Sequence, residues 1–387
     1  MKIAIFTNNY LPNPYGVTTS IESFRKEFEK KGHTVYIFAP KTKGYDDKNK
    51  NVFRYPSLDI KYKIRFPLPI PYSSEIDRII EKLKIDIIHS QHPNLLGSVA
   101  RRWAKKKNIP IVFTWHTIYD KYTHYTPIIP QKFSAYWVIK NSVRYANNVD
   151  KIIIPTESVR KIVKKWGVIK DNIEVVATGV DEETFRNGDW KKIREELNIK
   201  SDKKIILSIS RLTEEKNVLF LTKEVIKVLK RNPKTVFILG GDGYLRNRLI
   251  RLVNESKVGE QVFFVGLIER EQIKNYMGLA DIFVYASQSE TQGTIITEAM
   301  YLGLPIVAID ALGVGDLIED GVTGILSSGK GNDFSKKIDR LLSREKLALS
   351  IGNNAKKKAK NNYTSKVCAD KMLKIYEKLI QSAKIKN

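Results

Sequence analysis

Cysteine is almost missing from this 387-residue chain: Cys368 stands alone, which excludes an internal disulfide framework and fits a reducing compartment. Long apolar runs are missing too. None approaches the roughly 20 residues that a bilayer-spanning helix needs, so a soluble or peripheral protein is expected. The five histidines are scattered, and no Asp-x-Asp pair sits in a loop placed for metal, so no metal site is expected. Acid is scarce relative to base, with 42 Asp and Glu against 67 Lys and Arg, a formal charge of +25. Such a surface attracts nucleic acid, anionic membrane or phosphorylated ligands without saying which. Met1 runs straight into the strand-like KIAIFT with no basic-then-apolar leader, so a cytoplasmic protein is expected. The length allows a large core and two or three domains, and no internal repeat is visible.

What is present gathers around SETQGTIITEAMYLGLPIV, residues 289–307. The preceding DIFVYAS has the β-branched and aromatic content of a buried strand, and residues 294–302 carry apolar side chains at helical spacing. Strand, loop and helix follow in that order. Gly293 opens the helix, where free N–H groups and the positive dipole end favour an anion such as a diphosphate. Glu290 falls in the loop and Glu298 just over a turn into the helix. Carboxylates beside an anion site suit hydroxyl groups, which a nucleotide sugar carries on both ribose and hexose. By residue chemistry alone, such a pair is more often a loop acid and a solvated helix acid, since charges usually face water.

The segment continues GLPIVAIDALGVGDLIEDGVTGIL, with Gly303, Pro305, Gly321 and Gly324, and it resembles the signature of the retaining glycosyltransferases of family four. That resemblance implies an α/β fold of GT-B type, two doubly wound Rossmann-like domains facing a central cleft. It implies that Glu290 faces the transferred sugar, that Glu298 holds the nucleotide ribose, and that Gln292, Gly293 and Thr294 line the donor between them.

From the N-terminus, strand-like residues 2–7 lead through NNYLPNPYG into an amphipathic helix from about Val17 to Lys31, a doubly wound unit with Gly16 at its turn. The family resemblance places Gly16 and Val17 on the donor. KYKIRFPLPIPY, residues 61–72, alternates cations with aromatic and aliphatic residues between prolines. It reads either as a lipid-interface segment or as an irregular connection packed on the core. A helix at 73–83 has Ser73 and Ser74 as candidate caps. Arg101, Arg102, Trp103 and Lys105 to Lys107 suggest a membrane face or a helix end whose cations complement its dipole. The strand IVFTWH ends at His116, where parallel sheets build sites and where a hydrogen-bonded core residue is also expected. By resemblance, His116 reaches the transferred sugar. HTIYDKYTHYTP, with ETQG, is similar to the diacylglycerol glucosyltransferase branch of the family.

After IEVVATGVD and a charged linker at 181–200 the pattern restarts. KIILSIS delivers RLTEEKN, and the Arg-x4-Lys spacing matches the family's diphosphate clamp, Arg211 and Lys216. The turn GGDG offers Gly241 and Gly243 for close backbone approach to a nucleotide. Residues 333–360 read as basic helix, and 365–384 as a final amphipathic helix.

The expected domains are 1–190 on the acceptor side, 191–364 for the nucleotide sugar, and 365–387 crossing back to the first. The expected reaction moves a hexose from a nucleotide sugar, UDP-glucose, to a lipid such as diacylglycerol with retained configuration. It takes place on the inner membrane face, with the anionic membrane surface as partner and no cofactor. His116, Arg211, Lys216 and Glu290 are the candidate catalytic residues. A soluble sugar acceptor is the alternative; a non-catalytic nucleic-acid-binding protein is remote, and no nucleic-acid partner is expected.

Overall fold

The computed structural model describes residues 1–13, 16–62, 64–118, 131–186 and 188–386. The chain divides into one unit of Met1–Gly179 with Ser365–Asn387, and a second of Val180–Thr364. The division falls at Gly179/Val180 rather than after residue 190. Val180 pairs with Thr364, and Phe185 and Ile193 are buried in the second core, so the linker belongs there.

The first unit contains, in order, β1 (Lys2–Phe6), α1 (Gly16–Lys30), β2 (Thr34–Pro40), β3 (Val52–Tyr55), β4 (Ser57–Tyr62), β5 (Ile64–Pro69), α2 (Ser74–Lys82), β6 (Ile87–Ser90), α3 (Leu96–Lys107), β7 (Ile111–Thr114), α4 (Gln131–Ala146), β8 (Lys151–Ile154), α5 (Glu157–Lys165) and β9 (Ile173–Val175). Seven strands form one parallel sheet in the order β3-β2-β1-β6-β7-β8-β9. The central strands β6 and β7 are buried along their length, as a sheet covered on both faces requires. Strand order reverses between β1 and β6, so the loops leaving their carboxyl ends part and open a crevice.

One segment differs from expectation. KYKIRFPLPIPY enters an antiparallel hairpin, β4 with β5, outside the main sheet; the prolines fall at and after its second strand, where a missing N–H is tolerated. The basic stretch of α3 forms the end of that helix, with partners on α2. Arg102 bonds Asp77 at 2.9 Å, Lys106 bonds Glu81 at 2.8 Å, and Trp103 is buried with its Nε1–H on Asp77. These contacts clamp α3 to α2, which is capped by Ser73 accepting from the Ile76 N–H. Residues 119–130, which hold most of HTIYDKYTHYTP, and residues 14 and 15 of the first loop lie outside the described residues.

The second unit contains α6 (Trp190–Glu196), β10 (Lys204–Ile209), α7 (Val218–Arg231), β11 (Thr235–Gly240), α8 (Arg246–Glu255), β12 (Val262–Gly266), α9 (Ile273–Leu279), β13 (Ile282–Tyr285), α10 (Thr294–Leu302), β14 (Ile306–Ile309), α11 (Val314–Leu317), β15 (Ile325–Ser327), α12 (Asp333–Ser343) and α13 (Glu345–Asn362). Its six-stranded parallel sheet runs β12-β11-β10-β13-β14-β15, reversing between β10 and β13. Apolar clusters cover both faces, one through Ile205, Leu207, Phe283 and Ile296, the other through Ile206, Phe237, Val284 and Phe334.

The last helix, α14 (Ser365–Lys386), belongs to the first unit. Ser365 bonds Ser23 of α1 at 2.7 Å and Asp370 pairs with Lys31 at 2.7 Å. Tyr376 is fully buried, its ring edge-on to Phe28 and its hydroxyl 2.5 Å from Nδ1 of His89. Tyr376→Ala should destabilise the first unit by about 3–5 kcal/mol through lost burial and a cavity, and Tyr376→Phe by about 1 kcal/mol. Denaturant unfolding would measure both; equal effects would show that the ring packing is not what holds α14.

Candidate functional site

The reversal between β10 and β13 places two loops side by side in the second unit. The loop after β10 carries Arg211 and a 3-10 turn, Glu214–Lys216; the loop after β13 carries Ser287 to Gly293 and enters α10. Backbone contacts bind the two together, with the Gln288 N–H donating to the Glu215 carbonyl at 3.4 Å and Ser287 Oγ donating to the same oxygen at 3.4 Å. The Lys216 ammonium donates to Oε1 of Glu290, which also accepts from Tyr285 Oη at 2.8 Å and Ser287 Oγ at 2.7 Å. Burial alone would push the Glu290 carboxyl up. The Lys216 charge and three donated hydrogen bonds outweigh burial and hold its pKa down to about 2. Glu290 is therefore a fixed carboxylate and a hydrogen-bond acceptor, too weak a base to shuttle protons near neutrality.

Gly293 enters α10 in the left-handed region, at φ 79°. The N–H groups of Thr294 and Ile295 in the first turn have no intrahelical carbonyl to meet, so they and the dipole present an anion-binding end next to Lys216 and Glu290. Gln292 is buried at the same turn. Arg211, about two-fifths exposed, pairs with Glu215 at 3.1 Å, which keeps its guanidinium by the 3-10 turn. Glu298 is not a solvated helix acid: α10 is buried around it and the residue is 2% exposed. Its Oε1 meets Nη1 of Arg270 at 2.5 Å, and its pKa is raised by burial against the opposing pull of that guanidinium.

Gly241 and Gly243 do not open space for a ligand. A Cβ on Gly241 would stand 1.8 Å from the Ser210 carbonyl oxygen, and one on Gly243 2.4 Å from that of Leu212. These glycines press the GGDG turn onto the backbone that bears Arg211, so close approach serves the protein's own chain.

Gly16, Val17 and His116 lie in the first unit. Gly16 is the first residue of α1, exposed, and a Cβ there would meet nothing within 4 Å, so the fold itself does not require glycine at this position. His116 follows β7, its Nε2–H donating to Oε1 of Gln91 at 2.6 Å. Burial, with minor contributions from His92 and His89, pushes its pKa down to about 3. The imidazole is neutral, and its proton is engaged within the unit. His92, lowered to about 4 by burial, accepts from the Asn8 N–H of the first loop, tying the loops after β1 and β6 together.

Two family models divide the chain: Glycosyltransferase Family 4 matches residues 14–184 and Glycosyl transferases group 1 matches residues 189–358. The alpha-monoglucosyldiacylglycerol synthase of Streptococcus pneumoniae is 32% identical over 348 residues, covering 85% of this chain and 76% of that protein. The chain belongs to glycosyltransferase family 4. The enzyme of the same name from Acholeplasma laidlawii is 27% identical, covering 98% of both chains. Among solved structures, Anabaena HepE in complex with UDP and glucose superposes with a TM-score of 0.77 at 18% identity, covering 97% and 99% of the two chains. Sucrose-phosphate synthase from Thermosynechococcus elongatus gives 0.80 at 20% identity, covering 98% and 99%. These likenesses establish the GT-B fold.

For this glycosyltransferase the sequence pattern brought out Glu290, Glu298, Arg211 and Lys216, and missed three residues that hold them. Arg270 carries no motif spacing in a chain rich in arginine. Glu215 looks like one more surface acid. Gly313 lies where a Cβ would come 2.4 Å from the Glu290 carbonyl oxygen, so the loop before α11 supports the Glu290 backbone; the signal was a glycine among many.

The buried pair gives a pH prediction. A carboxyl ordinarily near 4.5 and held at about 2 in the fold contributes its full stability above about pH 4.5 and loses it as the pH falls toward 2. Glu290→Gln, which leaves the Lys216 ammonium buried without its counter-charge, should cost about 3–5 kcal/mol near neutral pH. The gap in Tm between the two proteins should close as the pH drops from 4.5 to 2; a gap that stays constant would show that Lys216 and Glu290 are not coupled.

Proposed function

We propose that this glycosyltransferase moves glucose from UDP-glucose to a diacylglycerol-type lipid with retained configuration, working as a peripheral protein at an anionic membrane surface. The observation that carries the donor half is the Lys216–Glu290 contact beside the first turn of α10, at the strand-order reversal of the second unit. A diphosphate fits cations and free N–H groups, and sugar hydroxyls fit a carboxylate that stays ionised. In this reading Arg211, Lys216 and the N–H groups after Gly293 take the diphosphate, Glu290 takes hexose hydroxyls, and Glu298 takes the ribose. Gln292 shapes the turn. Gly16, Val17 and His116 are donor contacts on family resemblance; the open space at Gly16 supports the first of them. UDP as the nucleotide is supported by the HepE complex with UDP and glucose.

The family resemblance implies transfer on one face of the sugar, and the side chains suit it. The bond between C1 of glucose and the β-phosphate oxygen breaks, and the acceptor oxygen joins C1 on the same face. The departing phosphate takes the proton of the acceptor hydroxyl, while Arg211 and Lys216 stabilise the charge that builds on it. Neither Glu290, held at about 2, nor His116, which burial lowers to about 3, is basic enough to take that proton in place of the phosphate. The role of His116 in this reading is positional.

The lipid half is supported by the names of the two synthases and by α4. Its Tyr136 and Trp137 are each 58% exposed, with Lys140 Nζ 5.5 Å and 5.8 Å from their ring centres. Its sequence, QKFSAYWVIKNSVRYA, has no acid. Amphipathic rings beside cations suit a membrane interface with anionic headgroups. Among the described residues no helix is long and apolar enough to cross a membrane.

The test is release of UDP from UDP-glucose by the full chain, with and without diacylglycerol in anionic vesicles. Release that depends on the lipid, with an α-linked glucolipid by NMR, is expected. A β-linked product would overturn retention, and transfer to soluble sugars alone would remove the lipid while keeping the donor site. Lys216→Ala should lower kcat by roughly a hundred- to a thousandfold while the fold persists; unchanged turnover would contradict its role. Replacing Trp137 and Tyr136 by serine should weaken vesicle binding in a sedimentation assay without altering affinity for UDP.

A further inference from the structure

The two oxygens of the Glu298 carboxylate have different surroundings. Oε1 is held by Arg270 at 2.5 Å, whereas Oε2 is buried and has no hydrogen-bond partner among the described residues. A buried carboxylate oxygen without a donor is costly to keep, and native structures keep few of them without a functional reason. Arg270 is itself fixed on a second side. Its guanidinium lies over the Phe185 ring, 5.2 Å from the centroid, and Phe185 is packed in the second unit's core. Arg270 begins a short 3-10 turn after β12, while Glu298 lies on α10 and Phe185 precedes α6, so three separate elements converge on this carboxylate.

The chemistry of the convergence is directional. Without a neighbouring cation, a carboxyl buried this deeply favours its neutral form, which can offer an O–H. The guanidinium favours the anion, which only accepts. With Oε1 taken, a single buried acceptor oxygen is left for a ligand hydroxyl.

We propose that Arg270 is a positioning residue for the nucleoside end of the donor site: it pins Oε1 of Glu298 so that Oε2 accepts a ribose hydroxyl, and so makes the enzyme select ribonucleoside over deoxyribonucleoside diphosphates. This rests on the donor reading given above. Arg270 acts through Glu298 and not through the diphosphate, so its loss changes discrimination at the ribose and leaves phosphate affinity alone.

Calorimetric titration of the full chain tests this. UDP, GDP and ADP identify the diphosphate that binds best; its 2′-deoxy and 3′-deoxy forms and inorganic pyrophosphate are then compared on the wild type, Arg270→Ala and Arg270→Lys. The wild type is expected to favour the ribonucleotide over at least one deoxy form by roughly ten- to a hundredfold, the range of a hydrogen bond to a charged group. Arg270→Ala brings that ratio close to one with pyrophosphate affinity unchanged. Arg270→Lys, which keeps the charge without the planar fork, gives an intermediate ratio and carries the comparison if the alanine variant does not fold. A ratio that survives in the variants overturns the role of Arg270 and leaves the donor site standing. Equal loss of all ligands, pyrophosphate included, overturns it as merely structural. A wild type indifferent to the ribose hydroxyls removes Glu298 and Arg270 together, and a wild type that binds no nucleoside diphosphate removes the donor reading beneath them.

Discussion

The contact between Lys216 and Glu290 is the constraint on which the second unit's site depends. The two residues sit at the ends of loops from neighbouring strands, β10 and β13, whose onward connections run to opposite sides of the sheet. Loops that part in this way leave a crevice with polar backbone at its rim, and nothing in the sheet itself holds them together. Each charged group, buried alone, would be expelled toward water or neutralised. Paired, and with Tyr285 and Ser287 also donating to Glu290, they lock the loops in register and leave a cation and an anion at the mouth of a helix. The same contact that makes the loops stable sets a cation and an anion side by side at the start of α10.

Other contacts bring the backbone close enough for this pair to form. Gly241 and Gly243 lay the turn after β11 on the strand end that carries Arg211, and Gly313 lays the loop before α11 on Glu290. Any side chain at these positions would collide with a carbonyl oxygen. Arg270 and Phe185 fix the second acid, Glu298, in the same manner that Lys216 fixes the first. In the first unit the equivalent tie is made by imidazoles. His92 links the loops after β1 and β6, His116 is held by Gln91, and His89 is closed in by Thr114 and by Tyr376 of the returning helix. Burial keeps all three rings neutral, so they act as hydrogen-bonding struts.

Much of this fold can be read from the chain. Helix α10 runs over Thr294–Leu302, the span its apolar spacing and Gly293 indicate, and α1 begins at Gly16, one residue before its expected start. The buried strands declare themselves as short β-branched runs. The hairpin of β4 and β5 does not, because its prolines and alternating cations mimic a loop and its pairing is a choice of register between segments, not a property of either. The partners of the basic end of α3 are hidden for a related reason. Composition cannot show that Asp77 and Glu81 of α2 neutralise Arg102 and Lys106.

What the sequence by itself determined is whatever depends on neighbours along the chain: the alternation of strand and helix, the glycine that opens α10, and the spacing of Arg211 to Lys216 and of Glu290 to Glu298 that marks the family. What the tertiary structure alone decided is which charges meet. Lys216 finds Glu290 across 74 positions, Arg270 reaches Glu298 from another loop, and the two oxygens of Glu298 become unequal. Periodicity and turn chemistry are short-range consequences of backbone geometry, whereas the state of a buried carboxylate is set by the few groups that folding brings within hydrogen-bonding distance in a medium where water no longer screens them.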